Sequence, residues 1–237
     1  MRLNLFWVRL AFAAFLISLA INVGWMVIGF DWRVIPAAIA GWYLADMVSG
    51  IIHMYMDYRP CRPNMGLDRL YFYEGSRESA EYLQLRDATL GRIGPIERLV
   101  YDFKNHHPRP DALGRRSMLR QVGSTVLSAS LPFSLLLNLA NWHAPVPAWL
   151  AALLITFLIG GTFAQYFHGS LHRGDVPPVV RLMRRLHLLM TPAAHDLHHQ
   201  TLQRDFATNC GWSNPILNTT FRALRRRGRL ADAGLEP

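Results

Sequence analysis

Long apolar stretches alternate with polar segments along the chain, and four of these stretches are long enough to cross a bilayer. They run from about Leu10 to Phe30, Val34 to Ile52, Val122 to Ala140 and Val146 to Phe167. A membrane-spanning helix needs about 20 mostly apolar residues, so each stretch predicts one span. The first stretch is longer than the apolar part of a secretion signal, which favours a retained anchor.

The connections inside the first pair of spans and inside the second pair are short, so we expect two helical hairpins. They cover Asp31 to Arg33 and Asn141 to Pro145, and every basic residue except Arg33 lies outside them. Basic residues concentrate on the cytoplasmic side of membrane proteins. The pattern therefore predicts an all-α integral membrane protein with four transmembrane helices in two hairpins. Both termini are expected in the cytoplasm, with a helical, histidine-rich cytoplasmic cap formed by residues 53–120 and 168–237.

Composition supports this class and excludes others. Apolar residues make up 51% of the chain and charged residues 17%, with a net charge of +9. That much apolar surface excludes disorder, and two distant cysteines, Cys61 and Cys210, exclude a disulfide scaffold. The basic residues follow the membrane topology, so no nucleic acid partner is expected. We predict one membrane-embedded domain over residues 1–237, in a bacterial inner membrane or in the endoplasmic reticulum of a eukaryote.

The histidines share one side of the predicted membrane. Of the ten histidines, only His143 falls in the opposite loop. Structural histidines would have no reason to respect the sidedness of the spans, so we interpret the others as candidates for a common site. The strongest candidates are His53, His106, His107, His168, His172, His195, His198 and His199, and His187 is a weaker one within an amphipathic run.

Spacing indicates metal binding. His168 and His172 are four residues apart, as are His195 and His199, so each pair lies on one helical face and can hold one ion. Imidazole nitrogen is a good ligand for iron, zinc or copper, and eight imidazoles are too many for one zinc ion. Asp57, four residues after His53, has three roles open to it: metal ligand, helix cap, or partner that orients a histidine.

Asp46 lies inside the second span, where an ionisable group is costly and is a functional candidate by default. It precedes His53 by seven residues and so shares that histidine's helical face. We expect Asp46 to accept a hydrogen bond from a ligand imidazole. The alternative is that it stabilises helix packing near Ser49 and Gly50.

The motifs, taken together, resemble those of the lipid desaturase family that includes plasmanylethanolamine desaturase and a plant phosphatidylglycerol desaturase. The resemblance covers residues 45–218. Its elements are Ala45-Asp46 followed by Ser49-Gly50, His53 and Asp57; Asn105-His106-His107-Pro108; His168 and His172; His195, His198 and His199; and Gly211-Trp212 with Asn214.

Three departures from the family pattern are present, and the last of them concerns the substrate more than the metal. Gln165 stands three residues before His168, where the family's glutamine usually stands two before, and Ala194 occupies a position that is often histidine. The stretch between Asp57 and His106 is longer than the family pattern leads us to expect. This stretch could form a local cap or a different substrate entrance.

The resemblance implies a dioxygen-dependent desaturase in which the eight histidines hold two iron ions, with Asp57, Asp46 and His187 as further candidates. It implies a membrane phospholipid as substrate and an electron donor protein, a small cytochrome or a ferredoxin with its reductase. The alkyl ether chain of a plasmanyl lipid, converted to the vinyl ether of a plasmalogen, is favoured over a phospholipid-bound fatty acyl chain. The residues that bind the substrate are not predicted.

Three other classes stay open at this point. A fatty acid or sterol hydroxylase would use the same kind of centre. A membrane b-type cytochrome would place its histidines inside the spans, whereas here they lie at span ends. A metal transporter would need polar groups through the bilayer midplane, and Asp46 alone is of that kind.

Overall fold

The computed structural model describes residues 4–237, and this part of the chain contains helices and no strands. The helices are α1 (Leu5–Ile28), α2 (Val34–Tyr58), α3 (Leu67–Tyr71), α4 (Ala80–Leu90), α5 (Pro95–His106), α6 (Asp111–Gly114), α7 (Met118–Thr125), α8 (Leu131–His143), α9 (Ala148–Leu171), α10 (Pro178–Arg185), α11 (Pro192–Thr201) and α12 (Asn214–Arg226). A π-helical segment, Val126–Ser130, joins α7 to α8, and a 3₁₀ turn, Asp232–Gly234, lies near the C-terminus.

Four helical stretches have the length and composition of membrane spans. They are Leu5–Ile28, Val34–Tyr58, Met118–His143 and Ala148–Leu171. The all-α class and the four predicted spans are confirmed. The second and fourth helices continue past their predicted ends at Ile52 and Phe167. Their last turns are polar but packed inside the protein, so both helices extend beyond the end of the apolar pattern.

The closest packing among the spans is between α2 and α9. A Cβ at Gly41 would lie 2.2 Å from the Leu153 carbonyl oxygen, and one at Gly160 would lie 2.5 Å from the Ala45 side chain. Small residues allow membrane helices to approach this closely. α1 packs mainly against α8 and α9. The most extensive contacts thus join spans of different predicted pairs, and the hairpin arrangement stays a prediction.

Polar side chains join α1 to α8. Asn22 donates to the Ser134 carbonyl at 2.9 Å and to the Ser134 hydroxyl at 3.0 Å, while Asn138 donates to the Ser18 carbonyl at 2.9 Å. Hydrogen bonds of this kind hold membrane helices together, because lipid offers no alternative partner. These hydrogen bonds therefore fix α1 against α8.

The long segment between α2 and α7 builds its own small core beside the bundle. Leu67, Leu70, Tyr82 and Tyr101 pack together and join α3 and α4 to α5. Arg77 lies against this core and donates to the Tyr82 hydroxyl at 2.8 Å and to two backbone carbonyls of α3. This core holds α5 in place, and the end of α5 carries two of the candidate ligands.

Candidate metal centre

Four separate parts of the chain bring the predicted ligands to one place. Centroids of neighbouring imidazole rings lie between 4.3 and 6.3 Å apart. The contributing residues are His53 and Asp57 on α2, His106 and His107 at the end of α5, His168 and His172 at the end of α9, and His195, His198 and His199 on α11.

These nine residues divide into two groups, each with potential ligand atoms within 4.8 Å of one another. We call them the deep group and the outer group. The deep group consists of His53, Asp57, His107 and His198, and the outer group consists of His106, His168, His172, His195 and His199.

The deep group is built around a carboxylate. Asp57 is fully buried, and three imidazole Nε2 atoms lie 3.4 Å from its oxygens: those of His53, His107 and His198. These separations are too long for good hydrogen bonds. Neither Asp57 oxygen has a hydrogen-bond partner. A buried negative charge without a partner is costly, and a shared cation would remove that cost.

The outer group consists of imidazoles alone. The Nε2 atom of His195 lies 3.1 Å from Nε2 of His168 and 3.1 Å from Nε2 of His199. The Nε2 atoms of His106 and His172 are buried and have no partner. Nitrogen atoms that converge in this way are arranged as ligands of a common ion.

Backbone carbonyls set the tautomer of several rings. The Nδ1 atom of His53 lies 2.8 Å from the Phe206 carbonyl, and that of His198 lies 2.7 Å from the Arg204 carbonyl. His106 Nδ1 contacts the Phe103 carbonyl in the same way. Because Nδ1 must carry the proton to donate, Nε2 holds the free electron pair. In each of these three rings, the free electron pair on Nε2 faces the other potential ligand atoms of its group.

Burial keeps these imidazoles neutral. Burial, and to a lesser extent the neighbouring histidines, lowers the pKa of His106, His107 and His195 well below the ordinary value. The same causes lower the pKa of His172 and of His199 to about 4. Metal ions bind the neutral imidazole. The donor set, its charge state and its unpartnered atoms all fit metal ions.

Asp46 has a different role from the predicted one. Its Oδ1 accepts the backbone N–H groups of Cys210 and Gly211 at 2.8 and 2.9 Å, and its Oδ2 accepts the N–H and the hydroxyl of Ser213 at 3.0 and 2.7 Å. The predicted bond from a ligand imidazole is not among them. The carboxylate instead fixes the loop before α12, a role that spacing along one helix could not reveal.

Of the other residues considered from the sequence, His187 and His143 lie apart from the two groups. His187 is exposed, has a positive φ of 56°, and belongs to neither group. His143 ends α8, at the opposite end of the bundle. Gln165 lines a small pocket next to His106 and His168 that has room for about one water molecule.

Sequence reasoning missed Lys104. This side chain is fully buried, and its ammonium group donates to the Asp57 carbonyl at 2.6 Å and to the Gly234 carbonyl. It therefore fixes the end of α2, where Asp57 lies, against the C-terminal segment. One signal was available, because Lys104 is the only lysine in a chain whose other basic residues are all arginine.

The fold and the site define a membrane protein of four candidate spans with a histidine-rich centre able to hold metal. Residues 91–226 match the family described as the lipid desaturase domain, and the chain belongs to that family.

A curated relative is the plasmanylethanolamine desaturase of Myxococcus xanthus, which is 24% identical over 187 residues. The match covers 78% of this chain and 56% of the relative, so the chain spans little more than half of the relative's length. No solved structure matches the chain.

Proposed function

We propose that the chain is a dioxygen-dependent desaturase of membrane lipids that uses two iron ions. The observation that carries this proposal is the pair of adjacent ligand groups, because imidazole and carboxylate ligands in this number suit two ions of the kind that iron provides. Family membership supports the reaction class.

The deep group would hold one iron and the outer group the other. Bound iron would supply the oxidant for removing hydrogen from an unactivated CH2 pair, using dioxygen, which no side-chain acid or base can do. The net reaction consumes one dioxygen, two electrons and two protons, and it converts the CH2–CH2 pair to a double bond with release of two water molecules.

The protein's own contribution is to position the ligands and exclude water. Carbonyls of Phe103, Arg204 and Phe206 orient three imidazoles. The rings of Phe103 and Phe206 also pack against His53, with centroids 5.0 and 6.2 Å away. This apolar packing shields the deep group from solvent, which protects an oxidising centre from side reactions.

The relative favours an ether lipid as the substrate. Its name states that it desaturates a plasmanylethanolamine, and we propose the alkyl ether chain of a plasmanyl lipid for this chain as well. The product would be a plasmalogen vinyl ether. A phospholipid-bound acyl chain is the alternative substrate, and a hydroxylated lipid is the alternative product.

Electrons must come from outside, because the net reaction consumes two electrons in addition to those removed from the lipid. We propose a small cytochrome or a ferredoxin with its reductase as the donor. The proposed location is a bacterial inner membrane or the endoplasmic reticulum, with both termini in the cytoplasm.

Lipid analysis with and without the gene tests the proposal. Cells that make plasmanyl lipids should gain acid-labile vinyl ethers when they express the chain, and should not when they express His198→Ala. A new double bond in acyl chains would select the alternative substrate, and a new hydroxyl group would select the hydroxylase. No lipid change in cells that contain both substrate classes and an electron donor would contradict the proposal.

A further inference from the structure

The segment from α10 to the first turn of α12 packs against α2 far from the end of that helix. Trp42 donates its indole N–H to the Leu188 carbonyl at 3.0 Å. A Cβ at Gly50 would lie 2.4 Å from the Leu217 side chain and 2.9 Å from Ala207. At 1.5 Å per residue, Trp42 lies about 16 Å before His53 along α2. The segment therefore reaches well up the side of the second span.

This depth lies inside the apolar length of α2. The hydrocarbon core is about 30 Å thick and takes about 20 helical residues to cross, so a span that begins at Val34 leaves it near residue 54. Leu44, Val48, Ile51 and Ile52 are all exposed along this part of α2. Exposed apolar side chains along α2 mark this depth as lipid-facing.

The non-helical parts of the segment, residues 186–191 and 202–213, exchange backbone hydrogen bonds with side chains of the bundle. Asp46 accepts the backbone N–H groups of Cys210, Gly211 and Ser213 in the loop before α12. Asn209 donates to the Gly160 carbonyl at 3.1 Å, and its own carbonyl accepts the Met190 N–H at 2.7 Å. Non-helical backbone is tolerated at membrane depth only where protein groups satisfy it in this way.

Helix α10 presents three different faces. Val180 and Met183 face the protein, where they pack with Phe167 and Leu189. A second face carries the exposed apolar side chains Val179 (58% exposed), Leu182 (54%) and Leu186 (58%). The third face carries Arg181 and Arg185, both exposed.

The beginning of α12 continues the apolar face. Ile216, in the first turn of α12, is exposed, and so is Trp212 in the loop just before that helix. Trp212 also donates its indole N–H to the His187 carbonyl at 3.0 Å, which ties the loop before α12 to the residues just after α10. We call the five exposed side chains the apolar stripe; they are Val179, Leu182, Leu186, Trp212 and Ile216.

We propose that residues 178–217 form a re-entrant element embedded in the lipid leaflet on the histidine side, rather than part of a cytoplasmic cap. The apolar stripe lies among lipid acyl chains, as the exposed apolar side chains of α2 do. Arg181 and Arg185 lie at the lipid phosphates, as basic residues of in-plane amphipathic helices do. This inference does not depend on the reaction that the chain catalyses.

Site-directed fluorescence tests this placement. In a chain with Cys61→Ser and Cys210→Ser, single cysteines replace Leu182 or Ile216, carry an environment-sensitive dye, and are reconstituted in vesicles of phosphatidylethanolamine and phosphatidylglycerol. Brominated phospholipid probes contact with acyl chains, and iodide probes contact with water. Ile39 on α2, which is 54% exposed as Leu182 is, is the lipid control, and exposed Glu78 is the water control.

Dyes at Leu182 and Ile216 should be quenched by brominated lipid as strongly as the dye at Ile39, and should resist iodide. Quenching by iodide to the level of Glu78 would overturn the proposal and return the segment to the cytoplasm. A dye that neither reagent quenches would also overturn it, because another protein surface would then cover the stripe.

Discussion

The deep and outer groups lie side by side but differ in charge and in access to solvent. The deep group has a carboxylate surrounded by three imidazoles and is sealed by phenylalanine rings. The outer group has five imidazoles and no carboxylate, and two of its members, His172 and His199, are only half-buried, against one, His107, in the deep group. One ion would therefore meet a negative ligand in a closed site, and the other a neutral ligand set nearer to solvent.

Because of this difference, the two groups should depend on their bound ions in different ways. Asp57 carries a buried charge that has no partner when no cation is present, so the deep group needs its ion for stability. The outer group is neutral without an ion, and protons compete with metal for its nitrogens. Substitutions and pH should therefore act on the two groups in different ways.

Removing one imidazole from either group should have the largest effect. His198→Ala and His168→Ala should each abolish activity and lower bound iron, because each leaves its ion short of a ligand. Activity and iron content are measured on purified protein. His143→Ala, at the far end of the bundle, is the control and should preserve both. Full activity in either of the first two variants would contradict the assignment.

Asp57→Asn sharpens the comparison, since it changes charge with little change in shape. We expect the deep group to lose its iron and the outer group to keep its own, with loss of activity. Iron content per chain is the measurement. Asp196→Asn, an exposed aspartate on α11, is the matched control. Equal loss of iron from both groups would show that they bind as one unit.

Acid should destabilise the protein when metal has been removed with a chelator, and the half-buried histidines of the outer group should contribute to this effect. His172 and His199 have a pKa of about 4 when folded and 6.5 as the ordinary value. Between these values the unfolded chain binds more protons than the folded one. The free energy of unfolding is therefore highest above pH 6.5 and falls as the pH drops towards 4.

Thermal unfolding in detergent across this pH range measures the effect. Replacing both histidines with glutamine should make the dependence on pH shallower. A double variant with an unchanged slope would show that the loss of stability arises elsewhere.

Asp46→Asn should have the smallest effect on the metal. The new amide group would face N–H donors of the loop at residues 210–213 and leave at least one of them unpaired, at a cost of about 2 kcal/mol in the free energy of unfolding. Unfolding experiments give the stability, and iron analysis gives the metal. Folded protein should keep its iron. Iron loss without a loss of stability would assign Asp46 to the centre after all.

Hydropathy predicted the spans well because lipid imposes a length on them. It failed at the ends of α2 and α9, where His53, Asp57 and His168 lie on helices that continue beyond the apolar pattern. Those polar turns are buried by protein, and hydropathy cannot distinguish burial by protein from exposure to water.

The candidate ligands could be found from sequence because i, i+4 spacing is fixed by helix geometry. Their division into two groups could not, since His198 and His199 are adjacent in sequence and lie in different groups. The partners of Asp46 and Lys104 were equally hidden. Both bind backbone groups more than 100 residues away, and backbone groups carry no sequence signal.

Counting the metal ions on the purified chain tests the central claim most directly. Elemental analysis of the wild-type protein and of Asp57→Asn should find two iron ions per chain in the first and one in the second. A single ion that is unaffected by Asp57→Asn, or a chain that binds no iron after expression with iron in excess, would contradict the account.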